Sequence, residues 1–285
     1  MFADLHLHTT YSDGSYSPLE LVKKAKELDY SAIAVTDHDT VAGITESIKA
    51  GHRYNLEVIP GIEFNTLISG IDVHILGYFI EYKNKQLKIL LDKIRKERRE
   101  RIEKMIELLK ELYNFKISFE EIKEISANNI LGRGHLARLL TKKDYVNSWE
   151  EVFDKYIGNG QPAYVNRTKI TPFKAIDIIK KSNGVPVIAH PGLIKNDKTV
   201  QQIINYGVEG LEVYYLEHTE KQIRYYRKLA EENSLLITGG SDCHGPRNKN
   251  GLRLGQIRLD YSYLEKLKKY KSHKDDRSFK KDLLS

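Results

Sequence analysis

The sequence has a single cysteine and no long apolar run, and each absence excludes a class of protein. Cys243 is the one cysteine among 285 residues, so no internal disulfide can form, which agrees with a reducing compartment. No apolar segment is long enough to cross a bilayer. The first apolar stretch is short and carries Asp4, His6 and His8, which argues against a secretory signal. We therefore expect a cytoplasmic protein that does not enter a membrane.

The chain also lacks internal repeats and low-complexity linkers. Its hydrophobic fraction of 40% suffices for one large domain, or for one domain with a sizeable insert. The formal net charge of +7 suits a polyanionic or phosphorylated partner, and it equally suits a lysine-rich solubilising surface. Much of the positive charge lies in residues 83–104 and in the C-terminal tail. Charge alone therefore does not locate a binding groove.

Short apolar runs alternate with helical patterns along most of the chain. A helix is predicted after Ser17–Pro18, with Glu20 completing a capping box, and others after Thr171–Pro172 and Thr219. Seven runs rich in β-branched residues and bounded by turn signals are predicted strands: 2–8, 31–38, 56–64, 71–79, 184–190, 210–215 and 235–242. This alternation predicts a barrel-like α/β fold.

One long stretch between the fourth and fifth predicted strands does not follow this alternation of strands and helices. Residues 83–165 contain no convincing strand, and their longest segment is a highly charged amphipathic helix. We predict a barrel domain from 1–82 and 166–270, a helical insert at 83–165, and a disordered tail at 271–285.

Ionisable side chains are concentrated on the predicted strands or at their ends. Six of the ten histidines lie there with carboxylates beside them: His6, His8, Asp37, His38, Glu63, His74, His190, Asp242 and His244. In a parallel barrel the carboxyl ends of the strands meet at one mouth, so these residues should converge. Burying so many ionisable groups without compensation would cost several kcal/mol each. The sequence therefore predicts bound cations.

The donor types limit which ions fit. Imidazoles with carboxylates suit Zn, Mn or Fe rather than Ca, and so many ligands require at least two ions. His6 and His8 are two residues apart, so both side chains leave the same face of a strand and can hold one ion together. Asp4 lies on that face, and we expect it to orient one of the imidazoles.

These residues resemble the PHP family, which is named for its polymerase and histidinol phosphatase members. The matching stretches run from residue 4 to 245 in the family's order: "DLHLHTTYSDGSYSP", "AVTDHDT", "PGIEFN", "DVHILGY", "AHPG" and "GGSDCHG". The resemblance implies a distorted seven-stranded barrel with two or three divalent ions. It implies one ion held by His6, His8, Glu63 and Asp242, a second held by Glu63, His74 and His190, and a third held by Asp13, His38 and His244.

The insert carries a further resemblance. "LGRGHLARLL" and "NGQPAYVNR" are similar to segments of PHP nucleotide phosphatases and related exonucleases, although Gly134 stands where proline is usual. The resemblance implies that Arg133 and His135 bind a substrate phosphate, helped by Arg167 or Lys169. Arginine suits this task because its planar guanidinium matches phosphate oxygens.

The implied activity is metal-dependent hydrolysis of nucleotide phosphate esters. The candidate reactions are removal of the 3′-phosphate from nucleoside 3′,5′-bisphosphates and 5′→3′ trimming of short RNA or DNA, through a hydroxide shared by two ions. Arg133 would offset charge in the transition state. The leaving group would take its proton from His135, Asp37 or a water, and the sequence does not choose. The expected partner is a nucleotide or short oligonucleotide, without an obligate protein partner.

Three alternatives compete with this interpretation. A histidinol-phosphate phosphatase would have a similar ligand set, but the two insert segments argue against it. A non-catalytic, metal-stabilised scaffold should have lost ligands, and all nine are present. An amidohydrolase-type barrel usually bridges its ions with a lysine, whereas Glu63 stands at that position here.

Overall fold

The chain folds into two compact units. The computed structural model describes residues 1–125, 131–166, 169–246 and 253–282. One unit comprises Met1–Lys88 and Lys169–Ser285, and the other comprises Ile89–Thr168. The sequence placed the insert at 83–165, whereas the boundary falls inside helix α3 (Lys85–Tyr113).

The first unit is an α/β barrel-like sheet surrounded by helices. In chain order its elements are β1 (Phe2–Leu7), α1 (Pro18–Glu27), β2 (Tyr30–Val35), α2 (Ile44–Tyr54), β3 (Glu57–Ile68), β4 (Ile71–Tyr78), α7 (Pro172–Lys181), β5 (Val185–Ile188), a short 3₁₀ turn (Pro191–Leu193), α8 (Asp197–Tyr206), β6 (Gly210–Tyr215), α9 (Glu220–Glu232), β7 (Leu236–Gly240), β8 (Leu259–Asp260) and α10 (Tyr261–Asp282).

The strand order is β7-β6-β5-β4-β3-β2-β1-β8, and the two ends of the seven long strands approach each other. The amide of His8, just after β1, donates to the carbonyl of Cys243, just after β7, at 3.1 Å. The predicted seven-stranded barrel-like α/β fold is thus confirmed. The sequence did not predict β8, which is only two residues long and pairs antiparallel with β1.

Strand β4 runs against its neighbours, which the sequence did not predict. It is antiparallel to both β3 and β5, because a two-residue turn joins β3 directly to β4. Ser69 and Gly70 form this turn with φ values of 49° and 80°, the left-handed geometry that suits tight hairpins. His74 therefore lies within an antiparallel strand opposite Asn65, and not at the carboxyl end of a parallel one.

The predicted helix starts are confirmed. Ser17 caps α1, with the Glu20 carboxylate accepting from the Ser17 amide at 2.8 Å and Pro18 in the first turn. Thr219 caps α9 in the same way, through Gln222, whereas Thr171 caps α7 only by accepting from the Lys174 amide. Each cap satisfies amides that the first helical turn leaves without partners.

Helix α10 occupies the segment for which the sequence predicted a disordered tail from residue 271. Leu264 and Leu267 are fully buried among strand residues that include Ala3 and Val187. Further along, Lys274 donates to the Gly184 carbonyl at 3.0 Å and to a Glu209 carboxylate oxygen at 2.9 Å. Residues 271–282 thus continue a helix where the sequence predicted disorder, because contacts with distant residues stabilise it, and residues 283–285 of the predicted tail lie outside the described residues.

The second unit contains helices only among its described residues, and it has its own apolar core. After most of α3 it comprises α4 (Phe119–Ile125), α5 (Arg133–Lys142), α6 (Trp149–Val152) and a π-helical turn (Phe153–Ile157). Its core includes Met105, Leu109, Leu136, Leu140 and Val152.

The basic run on α3 is partly offset by acidic residues of the same helix. Glu100 and Glu103 pair with Lys96 and Arg99 one helical turn away, at 3.8 and 2.9 Å. Such pairs are typical of a solvated helix face, which favours the solubilising interpretation of this charge. Within the described residues, no helix combines the length and apolar character that crossing a bilayer requires.

Candidate metal centre

Glu63 lies at the centre of a cluster of histidines. This fully buried side chain on β3 contacts five imidazoles. Its Oε1 is 2.8 Å from His74 Nδ1 and 3.2 Å from His190 Nε2. Its Oε2 lies 3.1, 3.2 and 2.9 Å from ring nitrogens of His6, His8 and His38. The two carboxylate oxygens thus contact different sets of histidines, which is the arrangement that a carboxylate shared by two metal ions requires.

Asp242 joins His6 and His8 on one side of Glu63. Its Oδ1 is 3.0 Å from His8 Nε2 and 3.5 Å from His6 Nε2. The two histidines leave the same face of β1, as their spacing predicted, and their ring centroids are 5.2 Å apart. His6, His8, Glu63 and Asp242 offer ligand atoms close enough to hold one ion.

A more open group surrounds Asp13, whose side chain is 53% exposed. Asp13 lies 3.2 Å from His244 Nε2, 3.8 Å from His38 Nε2 and 3.9 Å from His8 Nδ1. These four residues could hold another ion, and a third possible group consists of His38, Glu63 and His74. All nine predicted ligands lie in one cluster: His8, His38 and Glu63 each belong to two of these groups, and His190 joins through its contact with Glu63.

Atoms left without hydrogen-bond partners test whether this cluster suits cations. Several buried atoms of these residues have no hydrogen-bond partner within the part of the chain that the structure describes: His6 Nε2, both ring nitrogens of His8, His38 Nδ1, Glu63 Oε2, His190 Nδ1 and Asp242 Oδ1. A buried polar atom left in this state costs about 1–3 kcal/mol. Ring nitrogens and carboxylate oxygens that converge without hydrogen bonds between them fit divalent ions, and imidazole with carboxylate is a suitable donor set.

The electrostatics of the cluster favour positive charge. Burial disfavours the charged form of His8, but contacts with Asp242 and Glu63 outweigh it and raise its pKa to about 10. Burial likewise works against an ionised Glu63, yet His38, His6 and His74 hold its pKa well below the usual range. The carboxylate charge is therefore retained inside the barrel, available to cations.

Asp4 and Asp37 both accept hydrogen bonds from neighbouring segments of the barrel unit. Asp4 Oδ1 accepts from the backbone amides of His6 and Ser241 at 3.2 and 3.0 Å, so it holds the two strands and orients no imidazole. Asp37, a candidate proton donor, accepts three hydrogen bonds of 2.6–2.7 Å from Thr9 and Ser12. Because all three partners are donors, Asp37 acts as an acceptor that fixes the loop after β1.

The sequence interpretation missed one buried carboxylate beside the cluster. Glu212 on β6 is fully buried, and its Oε1 lies 2.9 Å from His6 Nδ1. The available signal was a lone acidic residue within the apolar strand "GLEVYY", the same kind of signal that singled out Glu63.

The residues predicted to bind a substrate phosphate each contact a different group of neighbours. Arg133 begins α5, donates to the Ile157 carbonyl at 3.2 Å, and lies over the rings of Phe153 and Tyr164. His135 Nδ1 accepts from the Gly132 amide at 3.3 Å. Lys169 contacts the carboxylate of Asp72, which offsets its charge. Arg167 lies outside the described residues.

Known proteins match this chain over most of its length. The PHP domain family matches residues 4–161. The 5′-3′ exoribonuclease Rnm of Escherichia coli K12 is 32% identical over 85% of both chains, and the 3′,5′-nucleoside bisphosphate phosphatase of Chromobacterium violaceum is 30% identical over 85% of this chain and 87% of its own. A proposed metal-dependent phosphoesterase from Bifidobacterium adolescentis superimposes with a TM-score of 0.82, at 27% identity over 93% of this chain and 94% of its own.

Proposed function

Because the chain belongs to the PHP family and is a hydrolase of phosphate esters, we propose that its substrates are nucleotides. It removes the 3′-phosphate from nucleoside 3′,5′-bisphosphates, trims short RNA or DNA from the 5′ end, or does both. The observation that carries the proposal is Glu63, whose two oxygens each face a separate set of imidazoles. The named activities of the E. coli and C. violaceum relatives support the nucleotide class.

The ligand assignment within this proposal is the one that the family resemblance implies, and it differs from the contact groups in placing His38 with the third ion only and His190 with the second. His6, His8, Glu63 and Asp242 hold one divalent ion, while Glu63, His74 and His190 hold a second. Asp13, His38 and His244 hold a third. Mn, Zn and Fe suit these donors. When bound, such ions supply Lewis acidity, which activates water for attack and offsets phosphate charge.

The protein's own residues hold the substrate and supply a proton. Arg133 and His135 lie in the first turn of α5, where the helix dipole adds to their attraction for a phosphate. Since His135 Nδ1 accepts from the Gly132 amide, the proton of the neutral ring resides on Nε2. His135 Nε2–H can therefore donate a hydrogen bond to a substrate phosphate, whereas proton transfer to the leaving oxygen would require the imidazolium form, in which Nδ1 gives up the Gly132 amide. Asp37, which accepts hydrogen bonds from Thr9 and Ser12, and a water are the alternative proton donors.

Replacing Arg133 by alanine should weaken nucleotide hydrolysis selectively. We expect kcat/KM for adenosine 3′,5′-bisphosphate to fall about 10- to 100-fold, since a charge-assisted contact to phosphate contributes roughly 1.5–3 kcal/mol. Phosphate release would be measured with Mn²⁺ for this bisphosphate, for histidinol phosphate and for a short 5′-phosphorylated RNA.

Arg138→Ala is the matched control, because it removes the same charge from an exposed position on the same helix. Equal losses in both variants would show that general positive charge matters and Arg133 does not. Preference for histidinol phosphate, with Arg133→Ala unaffected, would contradict the nucleotide proposal and favour a histidinol-phosphate phosphatase. Phosphate release from none of the three substrates would favour the non-catalytic scaffold.

Removing divalent ions should lower thermal stability. Ions that bind only the folded state stabilise it by about 2.7 kcal/mol at a free concentration one hundred times Kd. A chelator should therefore lower the melting temperature by roughly 5–10 °C in a protein of this size. Differential scanning calorimetry with and without chelator measures this, and Mn²⁺ should restore the original value. An unchanged melting temperature would argue against ions bound in the core.

A further inference from the structure

Strand β6 supplies no predicted ligand, yet two of its side chains reach the ligand cluster. Glu212 and Tyr215 are three positions apart, so a regular strand would send them to opposite faces. A β-bulge changes this: Glu212 pairs with Thr238 of β7, whereas Tyr214 pairs with Gly239, which leaves Val213 unpaired. The extra residue brings Glu212 and Tyr215 to the same face.

The neighbouring strand is adapted to this bulge. A Cβ on Gly239 would lie 2.6 Å from both Cβ and the carbonyl oxygen of Tyr214, a separation that packed atoms do not reach. Glycine at position 239 is therefore what allows β7 to pair with the bulged strand. Bulges of this kind occur often beside active sites, where they redirect a side chain.

Glu212 contacts two candidate ligands with its two oxygens. Oε1 lies 2.9 Å from His6 Nδ1, and Oε2 accepts from the backbone amide of His190 at 2.8 Å. His190 has φ 27° and ψ 61°, a conformation rarely adopted outside glycine. One buried carboxylate thus orients the ring of one ligand and stabilises the strained backbone of another.

Tyr215 contacts a third candidate ligand, Asp242, and restrains its orientation. Its hydroxyl donates to Asp242 Oδ2 at 3.2 Å, and Arg253 lies 3.4 Å from the same hydroxyl. Asp242 Oδ1 is then the oxygen that faces His6 and His8. The hydroxyl therefore restrains the carboxylate to present one oxygen to the cluster.

We propose that Glu212 and Tyr215 are positioning residues that set the geometry of His6, His190 and Asp242 for metal binding. The inference rests on the proposed metal centre. Glu212 fixes the proton of His6 on Nδ1, so Nε2 turns its lone pair toward Glu63 and Asp242. Because His6 and His190 belong to different proposed ion sites, this carboxylate links the two.

Glutamine at position 212 tests the role of the carboxylate, because an amide offers only one acceptor oxygen. If that oxygen accepts from the His190 amide, the NH₂ group faces His6 Nδ1 and drives its proton to Nε2, which then cannot bind an ion. If the oxygen instead accepts from His6 Nδ1, the NH₂ group of the glutamine faces the backbone amide of His190, and both groups are donors. Either way one contact is lost, although the side chain keeps its shape.

The experiment is a titration of chelator-stripped protein with Mn²⁺ by calorimetry, combined with the visible absorption spectrum of the Co²⁺-loaded protein. Glu212→Gln should weaken Mn²⁺ binding about 10- to 100-fold and alter the Co²⁺ spectrum. Val213→Ala is the matched control, because Val213 is equally buried on the same strand and its apolar side chain can neither hydrogen-bond nor charge-pair with a ligand. It should lower stability while keeping wild-type Mn²⁺ affinity and spectrum.

The outcomes separate the two proposals. Wild-type Mn²⁺ affinity and an unchanged Co²⁺ spectrum in Glu212→Gln would overturn the positioning role. A wild-type protein that binds no Mn²⁺ would overturn the metal centre itself. If Glu212→Gln does not fold, Tyr215→Phe carries the test, since it removes only a hydroxyl. It should weaken Mn²⁺ binding several-fold, and unchanged affinity would overturn its role.

Discussion

Replacing Glu63 by glutamine is expected to reduce phosphate release by about a thousand-fold or more, the scale on which an essential group of a catalytic unit acts. Oε1 of Glu63 contacts two imidazoles, and Oε2 contacts three. In glutamine one of these oxygens becomes an NH₂ group, which cannot bind a cation. In either orientation of the amide, at least one proposed ion site loses its shared ligand.

Phosphate release and metal content should be measured on the same preparations of this variant. We expect Glu63→Gln to retain fewer ions per chain than the wild type after equal exposure to Mn²⁺. Glu209→Gln is the control, because it makes the same chemical change in a carboxylate that pairs with Lys274 and contacts none of the cluster histidines. A Glu63→Gln variant with near-normal turnover and metal content would remove Glu63 from the centre of the mechanism.

The metal-site cluster could be foreseen because its signals are local. A histidine or carboxylate within an apolar strand is costly unless something compensates for its burial, and strand periodicity shows which residues share a face. His6 and His8 illustrate this, since spacing alone placed both rings on one side of β1. His74 reached the same cluster although its strand runs in the opposite direction to the predicted one.

The direction of β4 had a signal that the interpretation did not use. The dipeptide Ser69–Gly70 is typical of a two-residue hairpin loop. The predicted third strand ended at residue 64, whereas β3 continues to Ile68, which leaves room only for that tight turn. Strand ends are the least certain part of a sequence interpretation, and here the end determined the topology.

Other features depend on contacts between distant parts of the chain. Glu212 meets His6 across 206 positions, and no spacing rule connects them. The bulge that redirects Tyr215 depends on glycine in the facing strand, which neither strand reveals by itself. The helix at 271–282 likewise forms from a segment of low apolar content that gains Glu209 as a partner. Such effects follow from the assembled fold and not from local pattern.

Replacing Gly240 by alanine should be the most destabilising small substitution near the cluster. A Cβ at this position would lie 2.3 Å from His6 Cβ and 2.5 Å from the His6 amide nitrogen. These are atoms of a buried strand, so β1 and β7 must separate to admit the methyl group. We expect a loss of about 3 kcal/mol or more in the free energy of unfolding, at the upper end for added core volume.

The same displacement should reach the proposed metal site, because His6 is the residue that the methyl group would push. Mn²⁺ affinity should therefore fall together with the melting temperature in Gly240→Ala. Gly132→Ala is the control, since a Cβ there meets no atom within 4 Å, and its cost should stay at about 1 kcal/mol or less. A Gly240→Ala protein that melts and binds Mn²⁺ like the wild type would mean that β1 and β7 tolerate a wider separation. The position of His6 would then depend on Glu212 rather than on strand packing.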